Sequence, residues 1–253
     1  MIDIHTHLLN NVDDGSRDSV ESLTSFKVAS EAGFTDIILT PHYIENYYEN
    51  NVSLIQPKIA ELKGKVEDNN ININLHTGNE VYVSDSIDEL IRSGEVATLA
   101  GSRYFLFELP QTSRMLTLDN IVMQIKETGV IPVLAHPERY AFVQDNPNVL
   151  KDLISRGVLM QSNYGSIIGQ YGKNAQKTII KMLKNNMIHF LGTDTHRTGY
   201  VYAHFYKVEK EFLKYISKEK FEELTTKNAE HILNDTLFDV PAPATVRRRL
   251  FFA

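Results

Sequence analysis

The 253-residue chain contains no cysteine. That excludes disulfides, thiolate-held zinc, iron–sulfur clusters and every cysteine nucleophile. No stretch approaches the roughly 18 consecutive apolar residues of a membrane span, so no transmembrane segment is expected. The start, Met1-Ile2-Asp3-Ile4-His5, has neither a basic region nor a long apolar core, and the expectation is a cytoplasmic protein. An excess of positive charge is missing as well. Lys plus Arg total 26 against 32 for Asp plus Glu, a net charge of −6, which argues against nucleic acid as the main partner. Neither GxGxxG nor GxxxxGK[ST] occurs, so a dinucleotide or P-loop site is not expected, and no GxSxG elbow offers a serine nucleophile.

What the chain does have is a repeated pattern. A short apolar run is followed by a loop, an amphipathic segment, a glycine and another apolar run. Ile2–His5 and Asp36–Thr40 read as strands. Between them Val20, Leu23, Phe26 and Ala29 mark one helix face, closed by Gly33. Leu118, Ile121, Val122 and Ile125, then Gly129, precede the run Val130–Ala135. Leu150, Leu153 and Ile154, then Gly157, precede Val158–Met160, and Ile179, Met182 and Leu183 lead into Met187–Leu191. Asn72–Leu75 and Tyr104–Leu109 fit as further strands, making about seven. Runs such as Ile37-Ile38-Leu39 are apolar throughout, as in parallel strands covered on both faces, although Pro132 is awkward inside a central strand. The pattern predicts a parallel α/β fold, best matched by a distorted TIM-like barrel of seven units, with an open doubly wound sheet as the alternative. Residues 1–239 read as one barrel domain. Residues 240–253 read as a tail ending in the basic, aromatic Arg247-Arg248-Arg249-Leu250-Phe251-Phe252.

The nine histidines and the acidic residues are unevenly placed. His5 and His7 follow the first strand and Asp14 sits in the loop after it. His42 follows the second strand, Glu80 the third, and Glu108 ends the fourth. His136 ends the fifth, and Asp194 and His196 end the last. These nine residues of metal-ligand type lie at or just past strand C-termini, which converge on one face in an α/β barrel. In extended chain an i, i+2 pair points one way, so His5/His7 and Asp194/His196 can each form half of a clamp. Imidazoles and carboxylates without thiolates suit Mn²⁺, Zn²⁺ or Fe²⁺, and nine donors are enough for two or three ions. His76, His189, His204 and His231 fall elsewhere in the pattern and read as structural or surface residues.

At this point the motifs have a recognisable order. His5-Thr6-His7, Asp13-Asp14-Gly15, Thr40-Pro41-His42, Glu80, Glu108, His136-Pro137-Glu138-Arg139 and Asp194-Thr195-His196 resemble the PHP (polymerase and histidinol phosphatase) superfamily. With Ser102-Arg103-Tyr104 and Tyr140 added, the chain is more closely similar to the metal-dependent protein-tyrosine phosphatases of Gram-positive capsule and exopolysaccharide loci, over about residues 1–235. The resemblance implies a distorted (β/α)₇ barrel with Mn²⁺ as first choice and Fe, Mg, Co or Zn as other options. It implies one ion on His5, His7, Glu80 and Asp194, a second on Glu80, Glu108 and His136, and a third on Asp14, His42 and His196. The implied substrate is the phosphorylated tyrosine cluster of a bacterial tyrosine kinase, which would recruit the enzyme to the membrane. A homo-oligomer is left open.

A metal cluster lowers the pKa of water toward about 7, supplying hydroxide where cysteine is missing. Arg139, three residues past His136, is placed to grip a phosphate as a bidentate fork, and Arg197 is a second candidate. Asp14 is a candidate ligand, a proton donor to the leaving phenolate, or both. Tyr43, Tyr47 and Tyr48 follow His42 and are candidates to stack on a phosphotyrosine ring. The competing readings are a small-metabolite phosphatase of the histidinol-phosphate type, a nuclease, and a metal-loaded, non-catalytic regulator of the kinase.

Overall fold

The computed structural model describes residues 1–112, 117–197 and 199–246. Ten strands lie among them: β1 (Ile2–Thr6), β2 (Asp36–Leu39), β3 (His42–Ile44), β4 (Tyr48–Glu49), β5 (Asn74–Thr77), β6 (Glu80–Tyr82), β7 (Tyr104–Glu108), β8 (Ile131–Ala135), β9 (Leu159–Asn163) and β10 (Phe190–Gly192). Every run read as a strand in the sequence overlaps one, with the ends shifted by up to three residues. The pairings are parallel except for the β3–β4 hairpin, in the orders β1-β2-β5 and β10-β9-β8-β7-β6-β3-β4. Helices separate most strands, as the glycine-punctuated pattern predicts.

Two breaks account for the strands that periodicity missed. Pro41 interrupts β2 before β3, and Gly78-Asn79 interrupts β5 before β6. The side chain of buried Asn79 serves the backbone at both breaks. Its amide donates to Pro41 O and Asn50 O, and its oxygen accepts from Ala97 N–H. Beyond the breaks β3 pairs with β6, His42 opposite Glu80, so two candidate ligands enter the same ladder. Pro132 is tolerated because β9 begins only at Leu159, opposite Val133, one residue beyond it. The last strand starts later than expected. Met187 N–H still closes the preceding helix on Met182 O, and the ladder begins at Phe190. β9 runs past Met160 through Gln161-Ser162-Asn163, all buried despite their polarity.

The strands are covered on both faces. On one, Phe105, Phe107, Leu134, Met160 and Leu191 pack in the main core, together with apolar helix residues such as Phe26, Ile121, Leu153 and Ile179. On the other, Ile2, Ile4, Ile38, Tyr104, Leu106, Val133 and Phe190 form a separate apolar cluster that includes Ala229 and Ile232 of the helix Asn228–Leu233. β1 also meets β10. Asp194 N–H donates to His5 O, His7 N–H donates to Thr195 O, and Thr6 bridges Thr195 in parallel register.

Residues 240–246 lie against the body. Ala244 N–H donates to Asn185 O, and the Asn148 side chain exchanges two hydrogen bonds with the backbone of Val246. The Arg247–Phe252 stretch singled out in the sequence lies outside the described residues. Among the described residues no helix is long and apolar enough to cross a membrane.

Candidate metal centre

The strand ends carry their side chains to one place. His5 and His7 leave β1, and their Nε2 atoms stand 3.2 Å apart. Glu80 Oε2 is 3.3 Å from both, and Asp194 Oδ1 is 3.6 and 3.4 Å from them. Glu80 Oε2 also lies 3.1 Å from His42 Nδ1, which is 3.2 Å from Glu108 Oε1. The other Glu80 oxygen is 2.9 Å from His136 Nε2, itself 3.7 Å from Glu108 Oε2. On the outer side Asp14 Oδ1 is 3.6 Å from His42 Nε2 and 3.5 Å from His196 Nε2. All nine candidate ligands are thus in one continuous cluster. His76, His189, His204 and His231 are not in it; His76 pairs with Asp36 at 2.9 Å.

The cluster has three groups whose donor atoms face one another: His5, His7 and Glu80; His42, Glu80 and Glu108; and His7, Asp14, His42 and His196. The grouping differs from the one the resemblance implies. His42 reaches inward with Nδ1 and outward with Nε2, and so belongs to two groups. Glu80 is shared, as expected.

These residues fit cations. With bonds of about 2.0–2.2 Å, neighbouring donors in a tetrahedral or octahedral shell sit about 3.0–3.5 Å apart, close to the spacing found here. Glu80 Oε2 and His42 Nδ1 are buried without a hydrogen bond, although such groups ordinarily find one. The far nitrogens are held. His5 Nδ1 faces Gln161 Oε1 at 2.8 Å and His7 Nδ1 faces Asp13 Oδ2 at 2.8 Å. With Nδ1 donating, each Nε2 lone pair points into the cluster, which is how ligating imidazoles are oriented. Burial alone would raise the carboxyls of Glu80 and Asp194. The neighbouring histidines, and Arg139 beside Asp194, instead hold both well below the usual carboxylate range.

Local backbone geometry aims these groups. His136 and Asp194 adopt positive φ, 35° and 52°, at the ends of β8 and β10. Such strain costs on the order of 1–3 kcal/mol and persists where surrounding contacts fix it. Two glycines make room. A Cβ on Gly15 would stand 1.9 Å from His7 O, and one on Gly192 would stand 2.8 Å from the Cβ of His5.

Arg139 donates to Asp194 Oδ2 at 2.6 Å, and its guanidinium lies 4.6 Å over the Tyr171 ring. Arg139 and the exposed Arg197 both line a depression of about 300 Å³ beside Asp194 and His196. A larger depression, about 550 Å³ beside the helix Ser19–Glu31, shares no residue with the cluster. The tyrosine loop divides. Tyr48 lies parallel to the His42 ring at 6.2 Å, and Tyr47, exposed, meets Tyr48 edge-on. Tyr43 corrects the expectation of a ring-stacking residue. It is buried, and its hydroxyl donates to Glu95 at 2.9 Å, because neighbours along β3 alternate in direction and His42 takes the cluster side.

Several supporting residues were given no role in the sequence reading. Asp13 holds His7 and accepts from His42 N–H at 3.0 Å. Gln161 holds His5 and donates to Asn163, which in turn donates to Asp194 Oδ2 at 2.7 Å. The available signal was the polar run Gln161-Ser162-Asn163 directly continuing an apolar strand.

The chain has relatives. A family model for capsular polysaccharide synthesis, CpsB/CapC, matches residues 1–234. The putative tyrosine-protein phosphatase CapC of Staphylococcus aureus is 35% identical over 196 residues, 78% of this chain and 77% of that one. Tyrosine-protein phosphatase YwqE of Bacillus subtilis (strain 168) is 30% identical over 256 residues, 99% of each chain. A crystal structure from work on B. subtilis YwqE and Streptococcus pneumoniae CpsB, described there as unique metal-dependent tyrosine phosphatases, superposes with a TM-score of 0.91. It is 27% identical and covers 98% of this chain and 100% of its own. The phosphotriesterase homology protein of Escherichia coli, 13% identical with a TM-score of 0.57, covers 91% of this chain and 97% of its own and shares the fold alone.

Proposed function

The chain belongs to the CpsB/CapC family of capsular polysaccharide synthesis, and from that premise we propose that it is a metal-dependent tyrosine-protein phosphatase. The single observation that carries this reading is the convergence of nine thiol-free candidate ligands in a chain that has no cysteine. The proposed substrate is the phosphorylated tyrosine cluster of a bacterial tyrosine kinase. The enzyme would meet it on the cytoplasmic side of the membrane and so adjust polysaccharide export. The strand order supports a seven-stave barrel, with β2/β3 and β5/β6 each counted as one broken stave and β1 against β10 as the seam.

His5, His7, Glu80 and Asp194 would hold one ion. Glu80, Glu108 and His136 would hold a second, and Asp14, His42 and His196 a third. Mn²⁺ is the first choice, and availability in the cell decides among similar divalent ions. Bound there, the ions would supply Lewis acidity and activated water at neutral pH.

The chain's own residues would do the rest. Arg139, fixed by Asp194 and the Tyr171 face, presents its remaining N–H groups to the depression, where a phosphate dianion would be gripped. Arg197 adds positive charge at its rim. Asp14, with a side chain 54% exposed, is the cluster carboxylate most open to solvent and the best placed to hand a proton to a departing phenolate. A phenol with a pKa of about 10 needs less such help than a serine alkoxide.

The test is phosphate release from a phosphotyrosine peptide beside a phosphoserine peptide and histidinol phosphate, all with Mn²⁺. Preference for phosphotyrosine by at least tenfold in kcat/KM is expected. Preference for histidinol phosphate would move the enzyme to metabolism, and no release from any of the three would overturn the catalytic reading.

A further inference from the structure

A carboxylate outside the nine candidates lies at the meeting of β1 and β10. Asp3 has no exposed surface and no cationic partner within salt-bridge distance among the described residues. An isolated buried carboxylate is costly unless hydrogen bonds replace its water. Asp3 receives three. Oδ1 accepts from His5 N–H at 3.2 Å and from Thr193 N–H at 3.0 Å. Oδ2 accepts from the Tyr202 hydroxyl at 2.6 Å.

The two backbone donors sit where the chain departs from the regular ladder. The register of β1 against β2 slips between Asp3 and Thr6, around His5. Irregularities of this kind re-aim side chains next to active sites. Thr193 immediately precedes Asp194, whose φ of 52° is the strained conformation that brings its carboxylate to His5 and His7. Tyr202 belongs to the helix Tyr200–Ala203, packed beyond the strand. One carboxylate therefore ties the irregular turn of β1, the exit of β10 and the helix behind them. An apolar residue of similar size would leave all three donors buried and unpaired.

We propose that Asp3, oriented by Tyr202, is a positioning residue that sets the separation between the His5/His7 pair and Asp194 and thereby the cation affinity of the inner group. It touches neither donor atoms nor substrate. The inference rests on the metal-centre reading. Groups that orient ligands from behind commonly contribute about 10–100-fold to metal affinity.

The experiment is Mn²⁺ titration of the chelator-stripped, full-length protein, followed by electron paramagnetic resonance of free Mn²⁺, alongside thermal melting of the metal-free protein. The variants are Asp3→Asn, Tyr202→Phe and a control, Tyr104→Phe. Tyr104 is equally buried and its hydroxyl also makes a 2.6 Å bond, but to Thr236 O, away from the β1–β10 contact. A merely structural hydroxyl would lower the melting temperature in both Phe variants and leave Mn²⁺ affinity unchanged. The expected result is a loss of at least tenfold in affinity for the tightest site in Asp3→Asn and of at least threefold in Tyr202→Phe, with none in Tyr104→Phe. Unchanged affinity in Tyr202→Phe, or an equal loss in Tyr104→Phe, would overturn the proposal, even if Asp3→Asn does not fold. A wild-type protein that binds no Mn²⁺ would instead overturn the metal-centre reading itself.

Discussion

His136 illustrates how much rests on single side chains. It leaves β8 with a φ of 35° and brings Nε2 to Glu80 at 2.9 Å. His136→Ala removes one donor and leaves Glu80 short of a partner, so kcat/KM for a phosphotyrosine peptide should fall at least ~100-fold, about 2.7 kcal/mol of transition-state stabilisation. Steady-state kinetics at saturating Mn²⁺ would check it, and a fall under threefold would remove His136 from the site. Arg139 gives a sharper comparison. Lysine keeps the charge but not the planar fork or the stack on Tyr171. Arg139→Lys should therefore lose about 10-fold or more in kcat/KM, a cost the loss of bidentate recognition would carry, while Mn²⁺ affinity stays within a few-fold. Equal activity of the two proteins would show that charge alone suffices. Charged ligands were legible in the sequence because carboxylates and imidazoles at the ends of apolar strands are conspicuous. Gln161 and Asn163 were less so: a neutral amide is not itself a ligand signature, and their only mark was the polar run that continues an apolar strand. Tyr43 was misassigned because its neighbour His42 drew attention to a loop that is in fact a strand.

Among the elements, the broken strands were the least legible. β3 and β6 have three residues each, too few for periodicity to register, and they follow Pro41 and Gly78-Asn79, which ordinarily signal an end. Their cohesion depends on Asn79. Asn79→Ala would leave Pro41 O, Asn50 O and Ala97 N–H without that partner, at about 1–3 kcal/mol for a buried group left unsatisfied. A loss of about 2–4 kcal/mol in urea unfolding is expected, and a change below about 0.5 kcal/mol would contradict the structural role. The segment before β10 makes a pH prediction. Burial, with some contribution from Lys220, depresses His189 to about 3, and its Nδ1 accepts from Met160 N–H. Folding thus favours the neutral ring, and the unfolded chain binds the extra proton first. His189 contributes stability fully above an unfolded pKa of about 6.5, and that contribution is lost as pH falls from there toward 3. His189→Gln should flatten the acid limb of the stability curve between about pH 6.5 and 4. An unchanged acid limb would contradict the assignment.

At the scale of the molecule, the parallel α/β pattern was readable because several buried strands, such as β2 and β7, are largely apolar and several helices, such as Ser19–Glu31 and Leu118–Glu127, end near a glycine. The contact of β1 with β10 was not, since it joins residues such as His7 and Thr195 that are far apart in the chain. The C-terminal segment tests a different whole-molecule link. Ala244, Thr245 and Val246 hydrogen-bond to Asn185, Lys151 and Asn148, which lie at or near the ends of two different helices. Removing residues 241–253 should cost about 1–2 kcal/mol and lower the melting temperature by several degrees. An unchanged melting temperature would mean that these contacts add nothing to stability.

The central claim is that the nine-donor cluster, loaded with metal, hydrolyses phosphotyrosine. The most direct measurement is phosphate release from a phosphotyrosine peptide by chelator-stripped protein as Mn²⁺ is added back. The account predicts activity below 1% of the loaded value, by the ~100-fold criterion used above, rising in proportion to bound Mn²⁺ to a stoichiometry of two or three per chain. Activity that persists in stripped protein with no detectable metal would contradict it.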